Sequence, residues 1–343
     1  MKKWICLIVI AMMLLTLPAC GQKEGSGELV IYSNSLTDGR GEWVEEKAKE
    51  AGFTVTAVQV GGGDLANRLI AEKNNPVADI VFGLNTMGFE SLKNENVLLE
   101  YVPEWAGEVE EGMNDKDGYY HSLVKQAILL IYSQDVYSEA TGPQDWTDLW
   151  ENPAFHGQYF LFSSLSGGTT RAVISGILVR YLDENGELGV SEEGWEAVKQ
   201  LYDNGYIAKE GEEFYALLAE GTTPMGQMWS SGLAAREEQY GVKSYYAKPA
   251  VGVPYVVEQI GIIEGSSNID EAKKFLDWFG SAEVQGKWAE EFYSLPANKE
   301  ALSFAPEYIR AIDESLTVQD IDWGFVGAHI EKWAEKIELE IMR

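Results

Sequence analysis

Three apolar segments near the start of the chain alternate with segments of helix-forming residues. Residues 28–32, 53–60 and 78–82 are rich in β-branched and other apolar side chains, which predicts strands. Residues 42–51 and 65–73 lie between them and predict helices. A β-α-β-α-β order requires a parallel sheet with right-handed crossovers and a ligand crevice beyond the carboxyl ends of the strands. The sequence therefore predicts an α/β fold.

The remainder of the chain continues to mix strand and helix patterns. Residues 251–257 predict an extended return, residues 143–150 a short helix, and Tyr245-Tyr246 an edge strand. Further strands are predicted at 123–132, 158–162 and 224–229, and further helices at 171–182, 192–204, 233–239, 269–280, 282–292 and 323–342.

The first residues have the pattern of an export signal. Lys2 and Lys3 precede an apolar run at 4–17, and Pro18-Ala19 precede Cys20. This resembles a bacterial lipoprotein signal, which implies a signal peptide at 1–19, lipidation of Cys20 and a tether at 20–27. The mature protein would be exported and lipid-anchored at the outer face of the cytoplasmic membrane or on its periplasmic side. A plain secretory signal or a short anchor helix is the alternative.

Composition narrows the classes of function. The chain has 55 acidic against 26 basic residues, a net charge of −29, which disfavours nucleic acid and anionic lipid headgroups as partners. Of the two cysteines, Cys6 lies in the signal, so no disulfide is expected. The three histidines have no partners at metal-ligand spacing, and no catalytic motif is present. We expect no enzyme activity, no resident metal and no cofactor.

Several loops that follow predicted strands are rich in hydroxyl, amide and glycine residues. Such loops meet at one edge of an α/β sheet, where they can bind an oxyanion without net charge. The ligand-binding candidates are Ser33, Asn34, Ser35, Gly62, Asn85, Thr86, Ser164, Ser166, Gly168, Thr169, Thr170, Trp229, Ser230 and Tyr255.

The segment 164–170 is the most informative of these loops. Its hydroxyls and glycines precede a predicted helix, whose free N–H groups and dipole favour phosphate, phosphonate or carboxylate. The alternative is that Ser166 or Thr169 only caps the helix. The segment lacks the Gly-Lys-Ser/Thr ending of a nucleotide-binding P-loop. Glycines 61–63 are predicted to form a second such loop, or merely a flexible turn.

Two aromatic residues stand at strand-to-loop transitions. Trp229 and Tyr255 are therefore candidates for the walls of a pocket, with core packing as the alternative.

Together these segments resemble the extracellular solute-binding lipoproteins of bacterial ABC importers, in the branch that serves ferric iron, thiamine and phosphonate or sugar phosphates. The resemblance lies in residues 29–33, 63–76, 78–83, 272–279 and 281–286. It implies a two-lobed type II periplasmic-binding-protein fold with a mainly parallel sheet in each lobe. The first lobe would comprise 27–126 and 253–343, and the second lobe 127–252.

The resemblance also implies how such a protein works. The lobes, joined by crossings near Lys125 and Pro254, would close on a small solute. A monomer would then deliver the solute to an ABC permease and, indirectly, its ATPase.

The ligand class is less defined than the fold. Ferric-binding members of this branch place adjacent tyrosines after the strand that matches 225–228, whereas this chain has Trp229-Ser230-Ser231. Hydroxyl-rich loops favour an oxyanion-bearing solute: a phosphonate, phosphate ester or carboxylate. Ferric iron with a bound anion, as the transported ligand, and thiamine are alternatives within the family. A secreted α/β hydrolase and a receptor module that only signals are the alternatives from other classes.

Overall fold

A computed structural model describes residues 27–342 of the chain. The predicted signal peptide, Cys20 and the tether up to residue 26 lie outside the described residues. Within residues 27–342, no helix combines the length and apolar character needed to cross a membrane.

Strands and helices alternate along most of this range. The strands are β1 (Glu28–Ser33), β2 (Thr54–Gln59), β3 (Ile80–Asn85), β4 (Leu98–Leu99), β5 (His121–Ser133), β6 (Phe160–Leu161), β7 (Leu182–Glu187), β8 (Tyr206–Ile207), β9 (Met225–Trp229), β10 (Ser244–Tyr246), β11 (Tyr255–Ile263) and β12 (Leu295–Pro296). The helices are α1 (Arg40–Glu50), α2 (Gly62–Glu72), α3 (Thr86–Asn94), α4 (Asp148–Glu151), α5 (Gly168–Leu178), α6 (Glu192–Asn204), α7 (Phe214–Ala219), α8 (Leu233–Tyr240), α9 (Ile269–Phe279), α10 (Ala282–Phe292), α11 (Glu307–Ser315) and α12 (Trp323–Lys336).

The predicted β-α-β-α-β order is confirmed, and three predicted elements differ from the structure. Gly62 and Gly63 form the first turn of α2 instead of a loop, because Gly61 is extended and begins the helix as its N-cap residue. The helix predicted at 143–150 is reduced to the single turn α4. The extended return begins at Tyr255 and continues as β11 to Ile263.

The main sheet is built around β1. This strand pairs in parallel with β2 on one side and β3 on the other, so the carboxyl ends of all three strands meet at one edge. Strand β11 then pairs antiparallel with β3, and β5 pairs antiparallel with β11.

Strand β5 runs from the predicted first lobe into the predicted second lobe. Its first part pairs with β11, with Ala127 opposite Tyr255, and its second part pairs with β9, with Ile128 opposite Trp229. Strand β10 pairs with the end of β5, and the separate pair β6–β8 is parallel. The second lobe therefore mixes parallel and antiparallel pairs, whereas the parallel pattern holds for β1–β3.

Both faces of the main sheet are covered by apolar side chains. Leu29 and Ile31 of β1 pack with Phe275 and Trp288 on one face, whereas Tyr32 packs with Phe89 on the other. Neighbouring residues of a strand point to opposite faces, so this alternation places one layer of helices on each side.

The C-terminal helix α12 packs against the second lobe. Ile330 and Trp333 of α12 are buried in a cluster that includes Val173, Ile177 and Leu201. Helix α12 also packs against α3, with Gly327 beside the Met87 side chain, so it contacts both predicted lobes. The division into 27–126 plus 253–343 and 127–252 remains a prediction.

Candidate functional site

A cavity of about 320 Å³ lies where the carboxyl ends of β1 and β3 face the start of α5. We call this cavity the cleft. Its lining residues are Asn34, Ser35, Thr37, Asp38, Arg40, Gly83, Asn85, Gln126, Ile128, Gly168, Thr169, Trp229, Ser231, Val256 and Glu258. These lining residues come from both predicted lobes, and the volume of the cleft suits a small molecule.

The loop after β1 is held in a tight turn against β3. The Ser33 hydroxyl accepts a 2.9 Å hydrogen bond from the Ser35 N–H, which fixes the direction of the loop. Gly83 has φ +95°, and a Cβ atom there would lie 2.6 Å from the Ser35 hydroxyl and 2.7 Å from Asn34 Oδ1. Only glycine suits this close approach and this φ. The turn presents Asn34 and Ser35 to the cleft.

The start of α5 is not capped by a side chain. Its N-cap residue is Gly167, which has no side chain to bond the first N–H groups. Ser166 instead shares a 2.9 Å hydrogen bond with Ser164, so the predicted capping alternative is wrong. Gly168 and Thr169 line the cleft at this helix end, where the free N–H groups and the helix dipole favour an anion.

Gln126 connects three parts of the cleft. Its Nε2 donates a 3.0 Å hydrogen bond to Oε1 of Glu258, and its Oε1 accepts a 3.3 Å hydrogen bond from the Ser231 N–H. Glu258 lies where β11 shifts register against both β3 and β5. Such irregularities redirect side chains.

Glu258 is a half-buried residue in the wall of the cleft. Burial raises the pKa of Glu258 above its ordinary value, although hydrogen bonds from Gln126 and Ser35 and the positive charge of Arg40 act in the opposite direction. The carboxylate is therefore less favourable here than in water.

Arg40 brings a positive charge to the cleft from the first turn of α1. Its guanidinium donates to the Thr37 carbonyl at 3.3 Å, lies 3.5 Å from the exposed Asp38 carboxylate, and stacks over the Phe292 ring. Within residues 27–342, no ion pair joins Arg40 to Glu258.

Two polar atoms near the cleft have no hydrogen-bond partner in the described part of the chain. They are Asn34 Oδ1 in the first lobe and the hydroxyl of Ser231 in the second. Ser231 is only 3% exposed. Buried polar atoms are normally hydrogen-bonded, so these two are suited to a ligand.

A second cavity of about 370 Å³ adjoins the cleft at Thr169 and Trp229. We call it the side cavity. Ser164, Ser166 and Thr170 line it, together with an apolar wall that includes Phe214 and Met228. The Thr170 hydroxyl is already occupied, because it accepts a 2.6 Å hydrogen bond from Gln227.

The structure places the predicted site residues in four groups. Four of them already have a hydrogen-bond partner within the protein: Ser33 with the Ser35 N–H, Thr86 with Gln259, Ser230 with the Ala127 N–H, and Tyr255 with Asp313. Gly62 lies beside the Asn34 amide in the first turn of α2. Ser164, Ser166 and Thr170 line the side cavity. Asn34, Ser35, Asn85, Gly168, Thr169 and Trp229 line the cleft.

Sequence reasoning missed the charged residues of the cleft and Gln126. Arg40 begins a helix, and Gln126 and Glu258 lie within strands, so none belongs to the glycine- and serine-rich loops. Sequence offers one signal: Glu258 places a charge in the otherwise uncharged strand 255–263. An acidic residue in a buried strand is uncommon and indicates a special role.

The described residues contain no group of three or more His, Cys, Asp and Glu side chains suited to a metal ion. A ring nitrogen of each histidine is hydrogen-bonded to a backbone carbonyl: His121 to that of Tyr101, His156 to that of Trp150, and His329 to that of Phe325. None of the three lines the cleft that residues 27–342 form.

Comparison with known proteins agrees with this architecture. The family described as bacterial extracellular solute-binding protein matches residues 42–312. A Sinorhizobium fredii protein named "Probable ABC transporter periplasmic-binding protein y4fP" is 35% identical over 91% of this chain and 86% of its own length. A Salmonella typhimurium protein named "Putative 2-aminoethylphosphonate-binding periplasmic protein" is 25% identical over 91% of this chain and 93% of its own.

A solved structure extends the likeness to the fold. The ferric binding protein from Campylobacter jejuni matches with a TM-score of 0.73 and 18% identity, covering 91% of this chain and 99% of that one. This likeness confirms the predicted two-lobed type II periplasmic-binding-protein fold. Because the family model matches residues 42–312 and a relative is 35% identical over most of both chains, the chain belongs to the bacterial extracellular solute-binding protein family.

Proposed function

We propose that this protein captures a small oxyanion-bearing solute in the cleft and delivers it to an ABC permease. One observation carries the proposal: the uncapped start of α5 in the second lobe and the Asn34–Ser35 turn with Arg40 in the first lobe line the same cavity. Backbone N–H groups, hydroxyls and one guanidinium form a donor set suited to phosphonate, phosphate ester or carboxylate.

Donors on opposite sides of the cleft also provide a mechanism for closure. An oxyanion bound by Gly168 and Thr169 alone would leave Arg40 and Ser35 without contact to it, and binding by both sets favours the closed arrangement. The change of pairing partner along β5, between Ala127 and Ile128, is the natural place for the bending. A permease can then distinguish the closed form from the open one.

The cleft gives less support to the alternatives. Ferric iron held by tyrosinates would need tyrosine side chains in the cleft, but the described residues that line it include no tyrosine or histidine. Thiamine would find one aromatic wall, Trp229, since Tyr255 donates to Asp313 outside the cleft. A hydrolase of the serine type would need a histidine beside a cleft hydroxyl, and the three histidines bond backbone carbonyls elsewhere.

Export and anchoring complete the proposal. The signal pattern that ends at Cys20 supports a lipoprotein, and the glycine-rich residues up to Gly27 would let the binding domain reach a membrane permease. A metabolically supplied fatty acid that carries a label should be incorporated into wild-type protein and not into Cys20→Ala, whereas equal labelling of the two would contradict lipidation of Cys20.

A thermal-shift panel tests the ligand class. Ethylphosphonate, 2-aminoethylphosphonate, a sugar phosphate and citrate represent the oxyanions, and ferric chloride and thiamine represent the alternatives. We expect at least one oxyanion to raise the unfolding temperature, because a ligand that binds only the folded state stabilises it. Stabilisation by ferric salt or thiamine alone would overturn the proposal.

A further inference from the structure

We infer that Glu258 binds a positively charged group of the solute, so that the cargo is a small zwitterion with an oxyanion at one end and an amino group at the other. The inference rests on the proposed function and specifies the chemical class of its ligand. It assigns a role to the one acidic side chain in the cleft wall that belongs to a strand of the sheet.

The position of Glu258 in the sheet favours contact with a ligand. It occupies a register shift in β11, with Asn85 of β3 on one side and Val124 of β5 on the other. A regular strand would have continued the pairing through this point, and the irregularity instead leaves Glu258 in the wall of the cleft.

The hydrogen bonds around Glu258 are the second argument. Gln126 donates to Oε1 at 3.0 Å, and the nearby Ser35 hydroxyl also acts to lower the pKa of the Glu258 carboxyl. These donors prepare Glu258 as an acceptor, yet no Lys, Arg or His forms an ion pair with it in the part of the chain described here. A partly buried carboxylate without a cation is costly, and a ligand ammonium would compensate it.

Charge balance is the third argument. A solute with only negative charge would be repelled by Glu258 in the cavity that it must enter. A zwitterion avoids this conflict, because its oxyanion can contact Arg40 and the start of α5 while its ammonium contacts Glu258. The cavity, at about 320 Å³, has room for both ends of a small molecule.

Ser231 supplies a second acceptor for the same group. Its N–H is bonded to Gln126, and its buried hydroxyl has no partner within the described residues. An ammonium carries three donors, so it can bond Glu258 and the Ser231 hydroxyl together. Since these residues belong to different predicted lobes, the ammonium would also favour closure.

A matched pair of ligands tests the inference. 2-Aminoethylphosphonate and ethylphosphonate differ in the amino group, and both are titrated calorimetrically into wild-type protein, Glu258→Gln, Glu258→Asp and Glu264→Gln. Glu264 is an exposed acid just beyond the opposite end of β11 and serves as the control. The unfolding temperature of every variant is measured alongside.

We expect wild-type protein and Glu264→Gln to bind 2-aminoethylphosphonate at least about tenfold more tightly than ethylphosphonate. Glu258→Gln should lose this preference and bind ethylphosphonate no more weakly than wild type does. Glu258→Asp, which keeps the charge, should retain part of the preference.

Equal binding of the two compounds by wild-type protein, or an undiminished preference in folded Glu258→Gln, would overturn the inference and leave the oxyanion proposal intact. If Glu258→Gln does not fold, the other two proteins test the inference: a preference for 2-aminoethylphosphonate in wild-type protein that is reduced in Glu258→Asp supports it, and an undiminished preference in Glu258→Asp contradicts it. Absence of binding by both compounds, with ferric salt or thiamine bound instead, would overturn the proposed function and the inference together.

Discussion

The side-chain nitrogen Nε2 of Gln126 donates a 3.0 Å hydrogen bond to Oε1 of Glu258, between the neighbouring strands β5 and β11. The other end of the same amide accepts from the Ser231 N–H of the second lobe. Gln126 lies just before the point where β5 changes its pairing partner from β11 to β9. The acidic group in the cleft is therefore linked directly to the connection between the lobes.

Replacing Glu258 by Gln should stabilise the ligand-free protein at neutral pH. Burial raises the pKa of Glu258 in the folded state above its unfolded-state value of about 4.3. The neutral carboxyl therefore contributes fully to stability below the unfolded-state pKa. This contribution is lost as pH rises through the folded-state pKa. We expect Glu258→Gln to unfold at a higher temperature than wild-type protein at pH 7, and this difference should shrink toward pH 3.5.

Thermal unfolding of wild-type protein, Glu258→Gln and Glu264→Gln at both pH values measures this difference. Other carboxyl groups titrate in all three proteins and cancel in the comparison. A stabilisation of equal size at both pH values, or a loss of stability at pH 7, would show that the charge of Glu258 is not costly.

Two neighbouring threonines of α5 should respond differently to the same substitution. Thr170→Val removes the buried hydroxyl that accepts from Gln227 and should cost about 1–3 kcal/mol of unfolding free energy. Thr169→Val acts on a residue that lines the cleft and should lower oxyanion affinity with little change in stability. Denaturant unfolding and calorimetric titration of both variants separate the effects. Equal losses of stability in the two variants would contradict this assignment.

Gly83 should be required for both the fold and the cleft. In Gly83→Ala, the new Cβ would meet the Ser35 hydroxyl and Asn34 Oδ1 and displace the turn, in addition to the strain of a positive φ. Gly52 has the same φ of +95° with nothing within 4 Å of a Cβ, so Gly52→Ala isolates the strain alone.

We expect Gly52→Ala to lose about 1–2 kcal/mol of unfolding free energy without a change in affinity. Gly83→Ala should lose more stability and bind oxyanions more weakly. Calorimetric titrations and denaturant unfolding check both variants, and identical behaviour of the two would mean that contact with Asn34 and Ser35 is unimportant.

Much of the fold could be predicted from local patterns. The apolar strands β1 and β3 and the amphipathic helices α6 and α10 carry their own periodicity, and their positions match closely. Gly62 and Gly63 were misassigned because glycine has low helix propensity, whereas the first turn of a helix tolerates it when Gly61 takes an extended conformation. The packing of α12 on the second lobe depends on contacts distant in sequence, which no local pattern encodes.

The site could be predicted only in part, for a related reason. Asn34 lies in a polar loop beyond a strand end, and Gly168 and Thr169 begin the helix that follows another such loop, where composition indicates a ligand edge. Ser230 shares that composition but bonds the Ala127 backbone, and only three-dimensional contacts reveal this. Arg40 lies just before the helix predicted at 42–51, and Glu258 reaches the cleft from a register shift, which sequence does not locate.

Calorimetric titration of 2-aminoethylphosphonate into wild-type protein, Arg40→Gln and the exposed control Lys274→Gln tests whether the cleft binds an oxyanion. We expect saturable binding of one ligand per chain, at least about tenfold weaker in Arg40→Gln and unchanged in Lys274→Gln, because Arg40 lines the cleft and Lys274 does not. Equal affinity in Arg40→Gln and wild-type protein, or saturable binding of ferric salt with none of the phosphonate, would contradict it.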